Sequence, residues 1–278
     1  MTQRNSWLAP ARYAAGVTRR GTLASTVYGP VDSRRLGRSL GVDLCPPEVK
    51  ACPLDCLYCQ CGRTAVRIRS AADAPRLAWP DPAAIERDVA EALRAAAAAG
   101  RPVDDISLCG NGEPTLHPAF CDIADRVARV RDALAPTASL TVFTSALSEA
   151  VLSGAALPGL LRCDRRLMKL DAGTDVRLHR LARPANGAGV ADAIAAIAAV
   201  PGAEIQALIV SGRAGNDAPA ELDAWADAVA QARPVRAHVG TLARAPAEPR
   251  AVQPAPRATL EAAAARARAR GVPCSVVD

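Results

Sequence analysis

The stretch CPLDCLYC, residues 52–59, carries three cysteines at Cys52, Cys56 and Cys59. The whole chain has nine cysteines in 278 residues. No secretory leader pattern opens the sequence, so we expect a cytoplasmic protein with reduced thiols. Three thiols within eight residues are rare outside metal or redox sites. We therefore interpret residues 52–59 as a metal-binding loop, and a group of merely buried thiols is the weaker alternative.

Residue chemistry alone leaves the metal open. A structural zinc site takes four ligands, and so does an ordinary iron–sulfur cluster. Cys45 or Cys61 could supply a fourth thiolate in either case. A third option is a cluster held by only three thiolates, which leaves one iron open to bind a small molecule.

Away from this loop, strand and helix patterns alternate along the chain. The expected strands are 38–44, 105–110, 139–145, 166–173, 204–210, 235–241 and 273–277, and the expected helices are 81–100, 117–134, 147–155, 189–200, 219–232 and 258–270. This alternation predicts an α/β fold, with a parallel sheet that closes partly into a TIM-like barrel and helices outside it. The segment before 38 and the Pro-rich linker 242–257 are expected to be irregular.

Strand alternation also predicts which polar side chains point into the barrel. If the apolar face of each strand meets the helices, Lys169 and Asp171 point inward, and so do Gln206, Arg236 and His238. Lys169 and Asp171 are candidate catalytic residues, a Lys as Schiff-base former or proton donor and an Asp as its partner. The alternative is an interior salt bridge that only shapes the barrel. His238 is a candidate proton carrier.

The charge of the chain is modestly basic, +6 at pH 7. Such a surplus permits a polyanionic partner without requiring one. Arg34, Arg35 and Arg38 could bind RNA phosphates, and an ordinary solvated surface is the alternative. Lys50 is expected to be solvated or paired with Glu48.

The cysteine spacing, with Tyr58 before the last cysteine, resembles the signature of radical S-adenosylmethionine (SAM) enzymes. Residues 28–64 as a whole are similar to the wyosine-type, tRNA-modifying group of that superfamily. The resemblance implies a partial (β/α)6 barrel in which Cys52, Cys56 and Cys59 hold a [4Fe-4S] cluster and SAM chelates the open iron. Residues 25–278 would form this core domain, preceded by an N-terminal extension, residues 1–24.

Further motifs extend the resemblance. LCGNGEPTLHP (108–118) is similar to the group's second motif, which implies that Gly110 and Gly112 admit the methionine moiety and that Glu113 accepts its ammonium. FTSAL (143–147) ends a third strand, so Thr144 and Ser145 would lie near the ribose. The segments that contain Lys169, Asp171 and Gln206 resemble the fourth and fifth strand motifs, which adds Gln206 to the candidate cofactor-binding residues. The aromatic position of the cysteine motif adds Tyr58.

The function implied by the resemblance is reductive cleavage of SAM to a 5′-deoxyadenosyl radical, which abstracts hydrogen from a substrate. A flavodoxin or ferredoxin would supply the electron. A tRNA base is the leading substrate, and a small metabolite or a peptide is the alternative. No apolar run of about 18 residues occurs, so no membrane partner is expected. A non-catalytic iron–sulfur electron carrier and a zinc-stabilised RNA-binding module are the rival classes.

Overall fold

A computed structural model describes residues 26–277 of the chain. The N-terminal extension expected at residues 1–24 lies outside the described part. The strands, in chain order, are β1 Val27–Ser33, β2 Gly37–Val42, β3 Ala51–Cys52, β4 Val66–Arg67, β5 Asp105–Leu108, β6 Ser139–Ser145, β7 Arg165–Lys169, β8 Ala203–Leu208, β9 Val210–Ser211, β10 Arg236–Gly240, β11 Gln253–Pro254 and β12 Cys274–Val276. The α-helices are α1 Pro82–Ala98, α2 Phe120–Leu134, α3 Glu149–Leu152, α4 Leu157–Arg162, α5 Asp175–Leu181, α6 Val190–Ala198, α7 Pro219–Ala232 and α8 Arg257–Ala269.

The central sheet has eight strands in the order β1-β2-β5-β6-β7-β8-β10-β12. The seven strands from β2 to β12 are parallel to one another, which confirms the α/β fold class and the partial barrel. β1 was not expected: it pairs antiparallel with β2 and forms one edge of the sheet. Gly29 and Pro30 interrupt the apolar alternation of this segment, which is why its pattern did not indicate a strand.

The two faces of the sheet differ in polarity, as strand alternation predicted. The outer face carries fully buried apolar side chains that pack under the helices, including Ile106, Leu140, Met168, Ile205 and Val239. The inner face carries Ser, Thr, Asp, Lys, Gln and His side chains in register across neighbouring strands. Since a polar inner face cannot form a dry core, the barrel interior is the natural place for a site.

The helices follow their sequence signals closely where those signals are strong. Asp81 caps α1 by accepting a hydrogen bond from the Ala84 N–H at 2.9 Å, and Pro82 occupies the first helical position.

The short helices α4 and α5 were missed, because each spans at most two turns. The linker 242–257 is mostly irregular but contributes β11, which pairs with β9. In the described part, no helix is long and apolar enough to cross a membrane.

Candidate functional site

The cysteine loop lies at the carboxyl end of β2, the end of a parallel sheet where active sites form. It is anchored on both sides. The Asp55 and Leu57 N–H groups donate to the carbonyls of Ala182 and Leu181, each at 2.9 Å, at the end of α5. The Glu113 N–H donates to the Ala51 carbonyl at 3.2 Å. The fold therefore holds the loop between the ends of β5 and α5.

The three predicted cluster ligands are free thiols on this loop, with Cys56 buried and Cys52 and Cys59 half-buried. Burial raises the pKa of Cys52 and of Cys56, the latter to about 12. A hydrogen bond from the Cys61 thiol and the charge of the Lys50 ammonium lower the pKa of Cys59 against the effect of burial. Of the three thiols, Cys59 therefore has the surroundings that favour a thiolate most.

The expectation for Lys50 was wrong. Its side chain is buried and donates from Nζ to the Gly62 carbonyl at 2.7 Å, rather than lying in solvent or beside Glu48. Its pKa is raised by the neighbouring Cys59 and Cys52, which outweigh the effect of burial. A buried ammonium beside several thiols offsets the negative charge that thiolates would carry.

Two further thiols lie near the loop. Cys45 is buried, and its N–H donates to Asp43 Oδ1 at 3.0 Å. Cys61 Sγ donates to the Gly110 carbonyl at 3.5 Å and interacts with Cys59. Both thiols therefore contact the segments that flank the cysteine loop.

The glycines of the second motif are required by contacts within the chain itself. A Cβ on Gly110 would meet Asp43 Cγ at 2.2 Å, and one on Gly112 would meet the Ala51 carbonyl oxygen at 2.0 Å. Between them, the Asn111 N–H donates to Asp43 Oδ2 at 2.9 Å. The turn therefore packs directly against the chain that flanks the cysteine loop. The predicted approach of the methionine moiety to these glycines stays a prediction.

Glu113 joins this turn to the end of β6. The carboxylate is buried, and its Oε1 accepts hydrogen bonds from the Thr144 hydroxyl at 2.6 Å and from the Thr115 hydroxyl at 2.7 Å and N–H at 3.1 Å. Its Oε2 accepts one bond, from the Ser145 N–H at 2.7 Å. Burial raises the pKa of Glu113 although these donors act against the rise. The three predicted residues Glu113, Thr144 and Ser145 thus form one cluster, and Oε2 keeps a lone pair for a further donor.

The residues present fit an iron–sulfur cluster with a small-molecule ligand. Thiolates are the ligands such clusters take. Asn111 Oδ1 is buried beside the loop without a hydrogen-bond partner in residues 26–277, so it could accept a hydrogen bond from a bound molecule. Within the same residues no three His, Cys, Asp or Glu side chains are already arranged around a common metal position.

Lys169, Asp171 and Tyr58 meet inside the barrel. Lys169 Nζ lies 2.8 Å from Asp171 Oδ1 and 5.0 Å from the centre of the Tyr58 ring, and the Tyr58 hydroxyl donates to Asp171 Oδ2. Gln206 lies beside Lys169 in the β7–β8 register, facing inward as predicted. Tyr58 is next but one to Cys56, so this group adjoins the cysteine loop. Whether Lys169 and Asp171 are catalytic stays a prediction.

We expect Asp171→Ala to lower the free energy of unfolding by about 3 kcal/mol. The change leaves the Lys169 ammonium, the Tyr58 hydroxyl and the Leu208 N–H, which donates to Asp171 Oδ1 at 2.7 Å, without their acceptor. Tyr58→Phe is the matched control and should cost about 1 kcal/mol, since it removes one hydrogen bond. Urea unfolding of the three proteins measures both values. Equal losses for the two variants would contradict the central place of Asp171.

Asp55 is a residue of the loop that sequence reasoning missed. It accepts hydrogen bonds from the Arg63 guanidinium and from the Thr64 N–H at 2.9 Å. Against the effect of burial, these partners lower the pKa of Asp55 from 3.8 to about 2. In the sequence, the only feature that relates Asp55 to Arg63 is their spacing of eight residues, and that spacing does not indicate an ion pair by itself.

The lowered pKa of Asp55 predicts a pH dependence of stability. Because the carboxylate is favoured in the folded state, its contribution is complete above the unfolded pKa and is lost as pH falls from about 4 to about 2. In cluster-free protein, the stability difference between wild type and Asp55→Asn should therefore shrink from about pH 5 to about pH 3. Glu248→Gln, which removes an exposed partner of Arg63, is the control with a smaller slope. A wild-type–Asp55→Asn difference that is constant across this range would refute the assignment.

Comparison with known proteins identifies the family of the chain. The family model described as "Radical SAM superfamily" matches residues 49–226, more than half of the chain. The chain therefore belongs to the radical SAM superfamily, whose members use a [4Fe-4S] cluster and SAM. The match covers the cysteine loop and the strands that carry Glu113 and Lys169.

Several relatives in sequence are UPF0026 proteins. The chain is 32% identical over 169 residues to a UPF0026 protein of Synechocystis sp., covering 60% of this chain and 56% of that one. It is 33% identical over 101 residues to two UPF0026 proteins of Helicobacter pylori, covering 36% of this chain and 30% of theirs. The matched region thus spans between 30% and 56% of the length of these relatives.

Solved structures share the fold. A radical SAM methyltransferase from Sphaerobacter thermophilus superposes with a TM-score of 0.60 at 21% identity, covering 86% of this chain and 65% of that one. TYW1 with a lysine–pyruvate adduct bound superposes with a TM-score of 0.50 at 12% identity, covering 73% and 64%. At such identities the likeness shows the partial TIM-barrel fold alone, and it confirms the resemblance to the wyosine-type group at that level.

Proposed function

We propose that this chain is a radical SAM enzyme in which Cys52, Cys56 and Cys59 hold a [4Fe-4S] cluster and SAM occupies the fourth iron. The observation that carries the proposal is the direct contact between the cysteine loop and the strand end with Glu113, through the Glu113 N–H and the Ala51 carbonyl. That contact brings a buried carboxylate to three thiols on one loop. A zinc site or an electron carrier that is closed by four thiolates would leave this carboxylate without a ligand to bind.

Cys52, Cys56 and Cys59 would hold the cluster, which when bound would supply the electron for the reductive cleavage of SAM. The chain's own residues bind and orient. Glu113 Oε2 accepts the ammonium of the methionine moiety, and the Lys50 ammonium offsets the thiolate charge. Thr144 and Ser145 hold Glu113 in place and lie on the side where the ribose would lie. Tyr58 links the cysteine loop to Lys169 and Asp171, which face the substrate.

The reductant and substrate follow from the resemblance only. A flavodoxin or ferredoxin is the proposed electron donor. A tRNA base is the substrate that the resemblance to the wyosine-type group favours, with a small metabolite or a peptide as alternatives.

The test is turnover of SAM without added substrate. Anaerobically reconstituted protein, reduced with dithionite, should convert SAM to 5′-deoxyadenosine and methionine in equal amounts. Cys52→Ala protein treated in the same way is the control and should form neither product. Protein that holds zinc without iron, or a cluster that reduces without forming 5′-deoxyadenosine, would contradict the proposal and favour the binding module or the electron carrier respectively.

A further inference from the structure

A second polar cavity lies apart from the cysteine loop. Its volume is about 480 Å³, and it is lined by Arg34, Arg35, Arg165, His238 and residues 275–277. The first two residues belong to the turn between β1 and β2, and the last belong to β12 and the residue after it. Since β1 and β12 are the two edges of the sheet, the cavity lies where the edges of the partial barrel approach each other.

One carboxylate beside this cavity, that of Glu204, already has its hydrogen-bond partners. Arg165 binds Glu204 with two parallel hydrogen bonds of 2.9 and 2.7 Å. His238 Nε2 lies 2.6 Å from the same carboxylate, and its Nδ1 lies 3.0 Å from Ser275 Oγ. These partners lower the pKa of Glu204 to about 2 although burial acts the other way. The Glu204 carboxylate is therefore ionised and balances the charge of Arg165. It does not also balance the charges of Arg34 and Arg35.

Arg35 and Arg34 have no such partner. In residues 26–277 neither forms an ion pair. The Arg35 guanidinium stands 5.5 Å from the centre of the Phe143 ring. Both its terminal nitrogens lie 2.8 Å from the Gln206 side-chain oxygen when that oxygen is turned toward it. Burial, together with the nearby Arg34 and Arg165, lowers the pKa of Arg35 to about 10, so it stays protonated at neutral pH.

The rest of the sequence offers little to balance this charge. Residues 1–25 contain no Asp or Glu, and Asp278 is the one acid outside the described part. A half-buried guanidinium among other cations is costly unless an anion joins it. The planar fork of an arginine matches a carboxylate or a phosphate with two parallel hydrogen bonds.

The size of the cavity favours a small molecule over a polymer. A volume of this order is typical of sites for metabolites. The three arginines proposed as an RNA contact also separate here. Arg38 lies outside the lining of the cavity, and its side chain donates to the Arg101 carbonyl, while Arg35 points into the barrel. No continuous basic strip is formed by the three.

We infer that this cavity binds the carboxylate or phosphate group of a small molecule through Arg35 and Arg34. Gln206 contacts Arg35 and lies beside Lys169 in the β7–β8 register, so the cavity adjoins the part of the barrel interior that Lys169 and Asp171 line. The cavity lies at the amino ends of β2 and β7, whereas the cysteine loop lies at the carboxyl end of β2, so the bound anion is a second ligand, separate from the site beside the cysteine loop.

The experiment is calorimetric titration of the full chain, with and without its reconstituted cluster, using inorganic phosphate and succinate as separate probes. We expect one of them to bind, and the stronger probe tells whether a phosphate or a carboxylate is recognised. Arg35→Gln should weaken binding about tenfold or more, and Arg34→Gln by several-fold. Arg94→Gln, which removes an exposed arginine on α1, is the matched control and should bind as wild type does.

Several results would overturn the inference. One is the absence of binding by both probes, and another is binding that neither Arg35→Gln nor Arg34→Gln weakens. A third is tRNA binding that depends on the two arginines while neither small anion binds. A fourth is an Asp278→Asn variant that binds the probes far more tightly, because the chain's own acid would then occupy the cavity. If the Arg35→Gln protein does not fold, the affinity of the Arg34→Gln protein for the probes tests the inference, because Arg34 is exposed. Anion binding is measured without a reductant, and SAM cleavage is measured without an added anion. Failure of one proposal therefore does not imply failure of the other.

Discussion

Cys56→Ala protein should lose its iron–sulfur cluster completely. Cys56 is the middle ligand of the proposed three and is buried on a loop that is anchored on both sides. Two remaining thiolates cannot hold four irons, since such clusters need at least three of the protein's ligands when a small molecule supplies the fourth. After anaerobic reconstitution, the visible absorption of thiolate-ligated iron and the bound iron should both fall to background.

The controls for this experiment are the neighbouring thiols. Cys163→Ala removes a buried thiol on the helical side of the sheet and should leave the cluster unchanged. Cys45→Ala and Cys61→Ala should also retain it, because neither thiol is one of the three ligands. A Cys61→Ala or Cys45→Ala protein without a cluster would mean four protein ligands and would favour the electron carrier.

Glu113→Gln should weaken SAM binding by about a hundredfold while leaving the cluster in place. The substitution removes the charge that pairs with the SAM ammonium, and losing one partner of a buried charged pair typically costs about 2–5 kcal/mol. It also turns an amide N–H₂ toward the Ser145 N–H or toward the Thr115 and Thr144 hydroxyls, where the carboxylate accepted hydrogen bonds. Equilibrium binding of SAM to reconstituted protein measures the effect.

Thr115→Val tests whether SAM binding depends on the Glu113 charge or on the hydrogen bonds around it. It removes one hydroxyl donor to Glu113 Oε1 but keeps the carboxylate. We expect a loss of about 1 kcal/mol in stability and a SAM affinity within a few-fold of wild type. If Glu113→Gln bound SAM as tightly as wild type, or if Thr115→Val weakened it equally, the ammonium contact would be wrong.

Much of the fold was predictable because local signals agreed with the global pattern. The bounds of β6 and α7 match the expected segments 139–145 and 219–232, where apolar periodicity and flanking residues coincide. Strand parity alone placed Lys169, Asp171 and Gln206 on the inner face. β1 and α5 were missed, since a Gly-Pro break hides the first and two turns give too little periodicity for the second.

The residues of the candidate site were predictable, but their supporting contacts were not. The cysteine spacing and the family resemblance indicated the three cysteines and Glu113, whose roles stay predictions, and the bond from the Glu113 N–H to the Ala51 carbonyl brings the two segments together. Lys50 was misjudged because its burial depends on how the loop folds back to the Gly62 carbonyl, a contact that no periodic pattern encodes. Asp55 and the cavity around Arg35 depend likewise on tertiary approach of distant segments.

The most direct test is electron paramagnetic resonance of anaerobically reconstituted, dithionite-reduced protein, recorded with and without SAM. We expect the signal of a reduced [4Fe-4S] cluster that changes when SAM is added, because SAM would bind the iron that no thiolate holds. A cluster signal that SAM leaves unchanged, or protein with zinc and no iron, would contradict this expectation.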